Sequence, residues 1–200
     1  MTLKTRLTAD ETRERILETA EEHFRRVGYG KTAVADIAGT LGMSPANVYR
    51  FFPSKSSICE EIASRLLDNC HEHLREIVAE KQAPASERLA RMTMTIHQFN
   101  KSQMFDEKRL HDMVEAAIKE NWHVIKAHLE TLVALFAEVI QDGMAAGEFV
   151  VRDPVEAAWS FKQCHVTVFH PSLIEQCATL FDLDEQTRRL TQFAIRALKV

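Results

Sequence analysis

The chain has 200 residues, 46 % of them hydrophobic, and a formal net charge of −4. Such a length bounds it to one domain or two small ones, and such a composition to a globular chain able to bury a core. It carries no run of about 18 apolar residues and no secretory leader pattern, so the sequence argues against a membrane partner and for a cytoplasmic protein.

The charge is uneven. Residues 1–59 hold 9 Lys+Arg against 7 Asp+Glu, whereas the remainder is net −6. Between Arg25 and Lys55 the basic side chains are Arg25, Arg26, Lys31, Arg50 and Lys55, opposed only by Asp36. A local basic surface on an acidic body suits a protein that reads DNA without coating it. Cys59, Cys70, Cys164 and Cys177 are scattered and are expected to be free thiols in or near the core.

Met1 to Leu7 reads as a short arm with Lys4 and Arg6, either a frayed end or a basic arm that follows DNA. Thr8 to Glu11 is a capping box. The helix after it is predicted to run to about Val27, with Ile16, Leu17, Ala20, Phe24 and Val27 inward. Thr32 is expected to cap a second helix over Ala33–Leu41, which Gly42 ends in a left-handed conformation. Ser44 caps a third, with Pro45 at its first position. Val34, Ile37, Ala38 and Leu41 share a face that Val48, Phe51 and Phe52 can meet. This leaves Ser44, Pro45, Ala46, Asn47, Tyr49 and Arg50 at the start and outer side of the third helix. Small polar groups, a phenol and a guanidinium suit a helix laid in the major groove of DNA.

Ser54 is expected to cap a long helix to about Lys81, with Lys55 in a first turn able to meet a phosphate and Ile58, Ile62, Leu66, Cys70, Leu74 and Ile77 inward. Further helices are predicted from near Ser86 to Ser102, from Asp106 to Lys119, from Trp122 to Ala146, from Pro154 to Phe169, from Ser172 to Phe181, and from Asp182 to the end. No segment alternates with period two. The fold class is therefore all-α, with about nine to ten helices and no sheet.

The pattern Thr32-x4-Ile37-Ala38-x2-Leu41-Gly42-Met43-Ser44-x3-Val48-Tyr49-x-Phe51-Phe52-x2-Lys55 resembles the DNA-binding region of the TetR/AcrR family of bacterial transcriptional regulators. The match extends over roughly residues 10 to 65. The resemblance implies a helix-turn-helix DNA-binding domain over residues 1–53 and a helical ligand-binding and dimerisation domain over residues 54–200. It implies a homodimeric regulator, a repressor released from a near-palindromic double-stranded operator by a small-molecule effector. Thr32, Ser44, Pro45, Ala46, Asn47, Tyr49, Arg50 and Lys55 would meet DNA, with Tyr49 and Lys55 at phosphates and Pro45, Ala46 and Asn47 at base edges. Two positions depart from the pattern: Ala35 where relatives often carry a polar residue, and Ala46 in place of a frequent glycine.

The effector would be apolar or aromatic, in a pocket drawn from Phe99, Met104, Met113, Trp122, His123, Phe136, Phe161 and His165. Taken one by one, these read equally as plain core. By the same resemblance Trp159, Val166, Leu190, Phe193 and Ala197 would carry the dimer interface. Cys70-His71-x-His73 and Cys164-His165 do not have metal-ligand spacing, so no metal and no cofactor is expected. No phosphate loop, G-x-S-x-G or H-E-x-x-H motif is present, and an enzyme is not expected.

Overall fold

A computed structural model of the chain describes residues 7–105 and 122–199. Among these residues it has ten helices and no strand: α1 Ala9–Val27, α2 Val34–Thr40, α3 Pro45–Tyr49, α4 Lys55–Ala79, α5 Ala85–Phe105, α6 Trp122–Ala145, α7 Pro154–Cys164, α8 Val166–Phe169, α9 Pro171–Cys177 and α10 Leu183–Ala197. The helix predicted over 106–119 lies outside the described residues. Two compact units emerge, one holding residues 7–65 and 122–124, the other residues 66–105 and 125–199.

In the first unit α1 begins at the capping box read from sequence. The Glu11 amide donates to Thr8 Oγ1 (3.1 Å), and the Thr8 amide donates to Glu11 Oε2 (2.7 Å). These bonds hold the Glu11 carboxyl below its ordinary range. Ile16, Leu17, Ala20 and Phe24 of α1 are buried with Ile37 and Ala38 of α2, Val48 of α3, and Phe52, Ile58 and Ile62. Val27, expected on this stripe, is 39 % exposed. His23 is buried instead, one turn earlier on that side of the helix, its Nε2 2.8 Å from Thr40 Oγ1. A polar partner on α2 makes histidine tolerable there.

The second unit has one continuous core. It is built from Cys70, Leu74, Ile77 and Val78 of α4, Leu89, Met92 and Ile96 of α5, and Leu132, Phe136, Val139 and Ile140 of α6. Phe161, Val168, Ile174, Leu183 and Ala194 close it from the C-terminal helices. α10 packs along α5. It buries Leu183, Thr187, Thr191 and Ala194. Each buried threonine hydroxyl donates to the carbonyl one turn back, Leu183 or Thr187 (2.7 Å each), so neither is left unpaired.

The segment predicted as one helix over 154–169 is two, parted at His165 (φ −99, ψ 9). The His165 Nδ1 lies 2.7 Å from the Phe161 carbonyl. That is the carbonyl the His165 amide would use in a continuing α-helix; the amide bonds Lys162 O instead. The side chain thus replaces a backbone bond, and the helix tightens and turns. Of the cysteines, Cys59 and Cys70 are buried, Cys177 is half-buried and Cys164 is exposed, contrary to a core position for the last. None of the four is in a disulfide, and burial pushes the Cys70 thiol up to about 11.

Gly143 lies inside α6 where a Cβ would stand 2.9 Å from Ala85 Cβ and closer still to the Phe149 ring. Gly143→Ala is therefore expected to cost about 1–2 kcal/mol, overpacking outweighing the gain in helix propensity. Urea denaturation monitored by circular dichroism measures it.

Candidate DNA-reading surface

The surface is set by α2, the turn after it and α3. α2 ends at Leu41. The Gly42 amide bonds Gly39 O (3.1 Å) and the Met43 amide bonds Ala38 O (3.0 Å), the paired closure of a Schellman turn. It needs a left-handed residue, and Gly42 has φ 65. Ser44 then caps α3, its Oγ accepting the Asn47 amide (3.3 Å), with Pro45 at the first helical position. Val48 is wholly buried and pins α3 to the head.

The other side of α3 faces outward. Ser44, Pro45, Ala46 and Arg50 are exposed, Tyr49 is 50 % exposed, and Asn47 is half-buried, its Nδ2 3.7 Å from Met43 Sδ. Among the described residues the Arg50 guanidinium has no recorded hydrogen bond or ion pair. Hydrogen-bonding groups and one cation thus stand on a short helix whose opposite face is locked, an arrangement able to enter a groove and pair with base edges or phosphates.

Two residues read as DNA-facing are placed differently. Thr32 is 3 % exposed, and its hydroxyl donates to Gly28 O (2.8 Å). It does not cap α2; the cap is Ala33, whose amide donates to Asp36 Oδ2 (2.9 Å). Asp36, read as a lone acid among bases, is thereby used at a helix start, where a carboxylate is favoured. The Lys55 ammonium turns inward, donating to the carbonyls of Tyr29 (2.8 Å) and Thr32 (3.1 Å) and lying 4.2 Å from the centroid of the Tyr29 ring.

The start of α4 is fastened to α1. Arg13 meets Glu61 with two bonds (3.0 and 3.2 Å), and Arg65 meets Glu14 with two more (2.6 Å each). These bonds hold the Glu61 and Glu14 carboxyls low and raise both guanidiniums. The Arg13 guanidinium also lies over the Phe52 ring, 4.5 Å from its centroid.

In the second unit, Phe136, Phe161 and His165 form a chain of rings with Phe169. Successive centroids are 5.2, 4.8 and 5.4 Å apart. His165 is wholly buried, its Nε2 3.1 Å from Thr191 Oγ1. Phe99 packs against the same core. His123, by contrast, is at the surface and pairs with Glu60 (2.9 Å), so it lines no apolar pocket. Met113 and the side chains of Met104 and Trp122 lie outside the described residues.

Histidines supply what the sequence did not single out. His71 and His128 stack with centroids 5.0 Å apart, His71 Nε2 lying 2.8 Å from His128 Nδ1. His97 joins α5 to α8 and α10, its Nδ1 3.0 Å from Val168 O and its Nε2 3.0 Å from Asp184 Oδ1. The one signal available was a histidine at an apolar-face position of a helix.

On the outer faces of α7, α8 and α10, Trp159 (38 %), Val166 (43 %) and Phe193 (69 %) are exposed, as is Ala197, while Leu190 is half-buried. A groove of about 340 Å³ runs beside them, lined by Ala157, Ser160, Phe161, Cys164, Phe193 and Ala197 among others. Among the described residues no helix is long and apolar enough to cross a membrane.

The fold and this surface define a helix-turn-helix protein with a helical body. Two family models match it: "Bacterial regulatory proteins, tetR family" over residues 16–62 and "Tetracyclin repressor-like, C-terminal domain" over residues 85–190. The chain is 24 % identical to the uncharacterised HTH-type transcriptional regulator YhgD of Bacillus subtilis, over 92 % of this chain and 90 % of that one. It is 38 % identical to the HTH-type transcriptional regulator TtgR of Pseudomonas putida over 36 % of this chain and 32 % of TtgR. Among solved structures it resembles SmeT, the repressor of the Stenotrophomonas maltophilia multidrug efflux pump SmeDEF. The TM-score is 0.69 at 20 % identity, covering 92 % and 89 % of the two chains. It also resembles FadR of Bacillus subtilis in complex with stearoyl-CoA (TM-score 0.67, 19 % identity, 91 % and 97 % covered). The chain belongs to the TetR family and is a DNA-binding transcriptional regulator, of a family of regulators rather than enzymes.

Proposed function

We propose that the protein is a homodimeric repressor that leaves its operator when a small molecule binds its helical body. Residues 1–53 read DNA, and residues 54–200 bind the effector and dimerise. The observation that carries the reading is α3. Its buried Val48 holds it, Ser44 and Pro45 fix its start, and Tyr49 and Arg50 stand exposed. Two such helices, about 34 Å apart, would enter successive major grooves of a near-palindromic site.

The apolar exposure of Trp159 on α7, Val166 on α8 and Phe193 on α10, with a groove lined by Phe193 and Ala197, supports pairing of a second copy across these helices. The effector is apolar or aromatic, in keeping with the ring-rich body. A structure of similar fold that holds stearoyl-CoA fits a ligand with a long apolar chain. Release then follows if the ligand prefers the conformation that does not fit the operator.

Arg50→Ala is the test of the surface. Operator affinity is expected to fall about tenfold or more, and the slope of log affinity against log salt to shallow by about one unit per head if the contact is to phosphate. Fluorescence anisotropy over a salt series reads both. Unchanged affinity and slope would remove α3 from the interface.

A further inference from the structure

We propose that Lys55 is a positioning residue, a latch that fixes the turn ahead of α2 to the first turn of α4, and that its charge is not spent on a DNA phosphate. The proposal rests on the DNA-reading role given to α3. A lysine in the first turn of a helix sits at the positive end of the helix dipole, a poor place for a cation. The surroundings account for it. The ammonium donates to Tyr29 O (2.8 Å) and Thr32 O (3.1 Å), with the face of the Tyr29 ring 4.2 Å away. Two carbonyl dipoles and an aromatic face together stabilise the cation.

The partners are themselves fixed. The Tyr29 ring is buried and meets Phe24 of α1 edge-on (centroids 5.2 Å, 68°). Thr32 is held by its amide and hydroxyl to Gly28 O (3.2 and 2.8 Å). The residue after Thr32 is the cap of α2, and α2 packs on α3. Lys55 therefore sets where α2 starts and, through it, how α3 is presented. Arg13–Glu61 and Glu14–Arg65 fasten the next turns of α4 to α1, so α4 as far as Arg65 is held as part of the head. A displacement of this end of α4 is carried to α3 through Lys55.

The test compares wild type with Lys55→Met, using DNA selected by the wild-type protein and Arg50→Ala as the surface reference. At a temperature where circular dichroism shows the variant folded, Lys55→Met is expected to bind about tenfold more weakly. Its salt slope should remain that of wild type, and amide exchange over Thr32–Ile37 should quicken. A slope that shallows by about one unit per head would show a phosphate contact and overturn the latch. So would unchanged affinity with unchanged exchange. Should Lys55→Met not fold, Lys55→Arg carries the test, because it keeps a cation for a phosphate. Full affinity would then overturn the latch, and a tenfold loss at unchanged slope would support it. If wild type selects no DNA, the DNA-reading role fails, while the exchange comparison, which needs no DNA, still judges the latch.

Discussion

Acidification from pH 7.5 to 5 is expected to destabilise the second unit steeply, before any carboxylate titrates. The cause is the His71–His128 pair, in which His71 is buried and His128 half-buried. With 2.8 Å between His71 Nε2 and His128 Nδ1, one nitrogen must donate and the other accept, so the two rings cannot both carry a full set of protons. Burial lowers the His128 pKa to about 3, with the facing His71 and Lys162 adding to it. Burial also lowers His71, against the opposing pull of Asp68 on the same helix (3.5 Å) and with a smaller push from Arg75. His165 is lowered by burial too, despite its bond to Phe161 O.

Each of these groups binds its proton less readily folded than unfolded. Below an unfolded value of about 6.5 the unfolded chain takes up more protons, so stability is present above that pH and is lost as pH falls through it. His128, held near 3 in the fold, contributes a slope approaching about 1.4 kcal/mol per pH unit in that window. His71 and His165 add to this loss in the same direction. Urea midpoints at stepped pH measure this. The double variant His71→Phe with His128→Leu should flatten the slope to roughly the share of His165. A wild-type midpoint flat between pH 7.5 and 5 would contradict a neutral pair at this contact.

Phe136→Ala is expected to cost about 3–5 kcal/mol. Its ring is wholly buried at the middle of α6, against Phe161 of α7 (5.2 Å), which in turn contacts His165. Removing it empties the point where α6 meets the C-terminal helices, and the neighbouring rings are too constrained by one another to collapse into the space. Differential scanning calorimetry should show the loss as a fall in Tm. An unperturbed melt would mean that the site relaxes freely and that the chain of rings is not the structural centre of the body.

The features legible in the sequence are those fixed within one turn of helix. Thr8 with Glu11, Ser44 with Pro45, and Asp182 each placed a helix start correctly, because a cap is a contact between residues two or three apart. Gly42 was legible for the same reason. Thr32 misled because its hydroxyl could serve either α2 ahead of it or the turn behind it, and the Gly28 carbonyl won, with Asp36 supplying the cap instead. The break at His165 was hidden because histidine is not a helix breaker by type. Its ring nitrogen competes with its own amide for Phe161 O, a choice that residue type alone does not show.

The exposed side of α3 could be read from periodicity, whereas the direction of Lys55 could not, since its partners lie 23 and 26 residues earlier. The histidine pair, 57 residues apart, was equally out of reach. His123 was grouped with the aromatic residues by residue type, and Glu60 decides its place.

The most direct test of a specific, dimeric DNA reader is selection of bound sequences from a random double-stranded pool. The protein is first denatured and refolded to strip any small molecule, and the selection run at about 150 mM salt. The expected result is an inverted repeat whose half-sites are centred about one helical turn, or a multiple of it, apart. Refolded, monodisperse protein that enriches no sequence, or enriches only a single unpaired half-site, would contradict it.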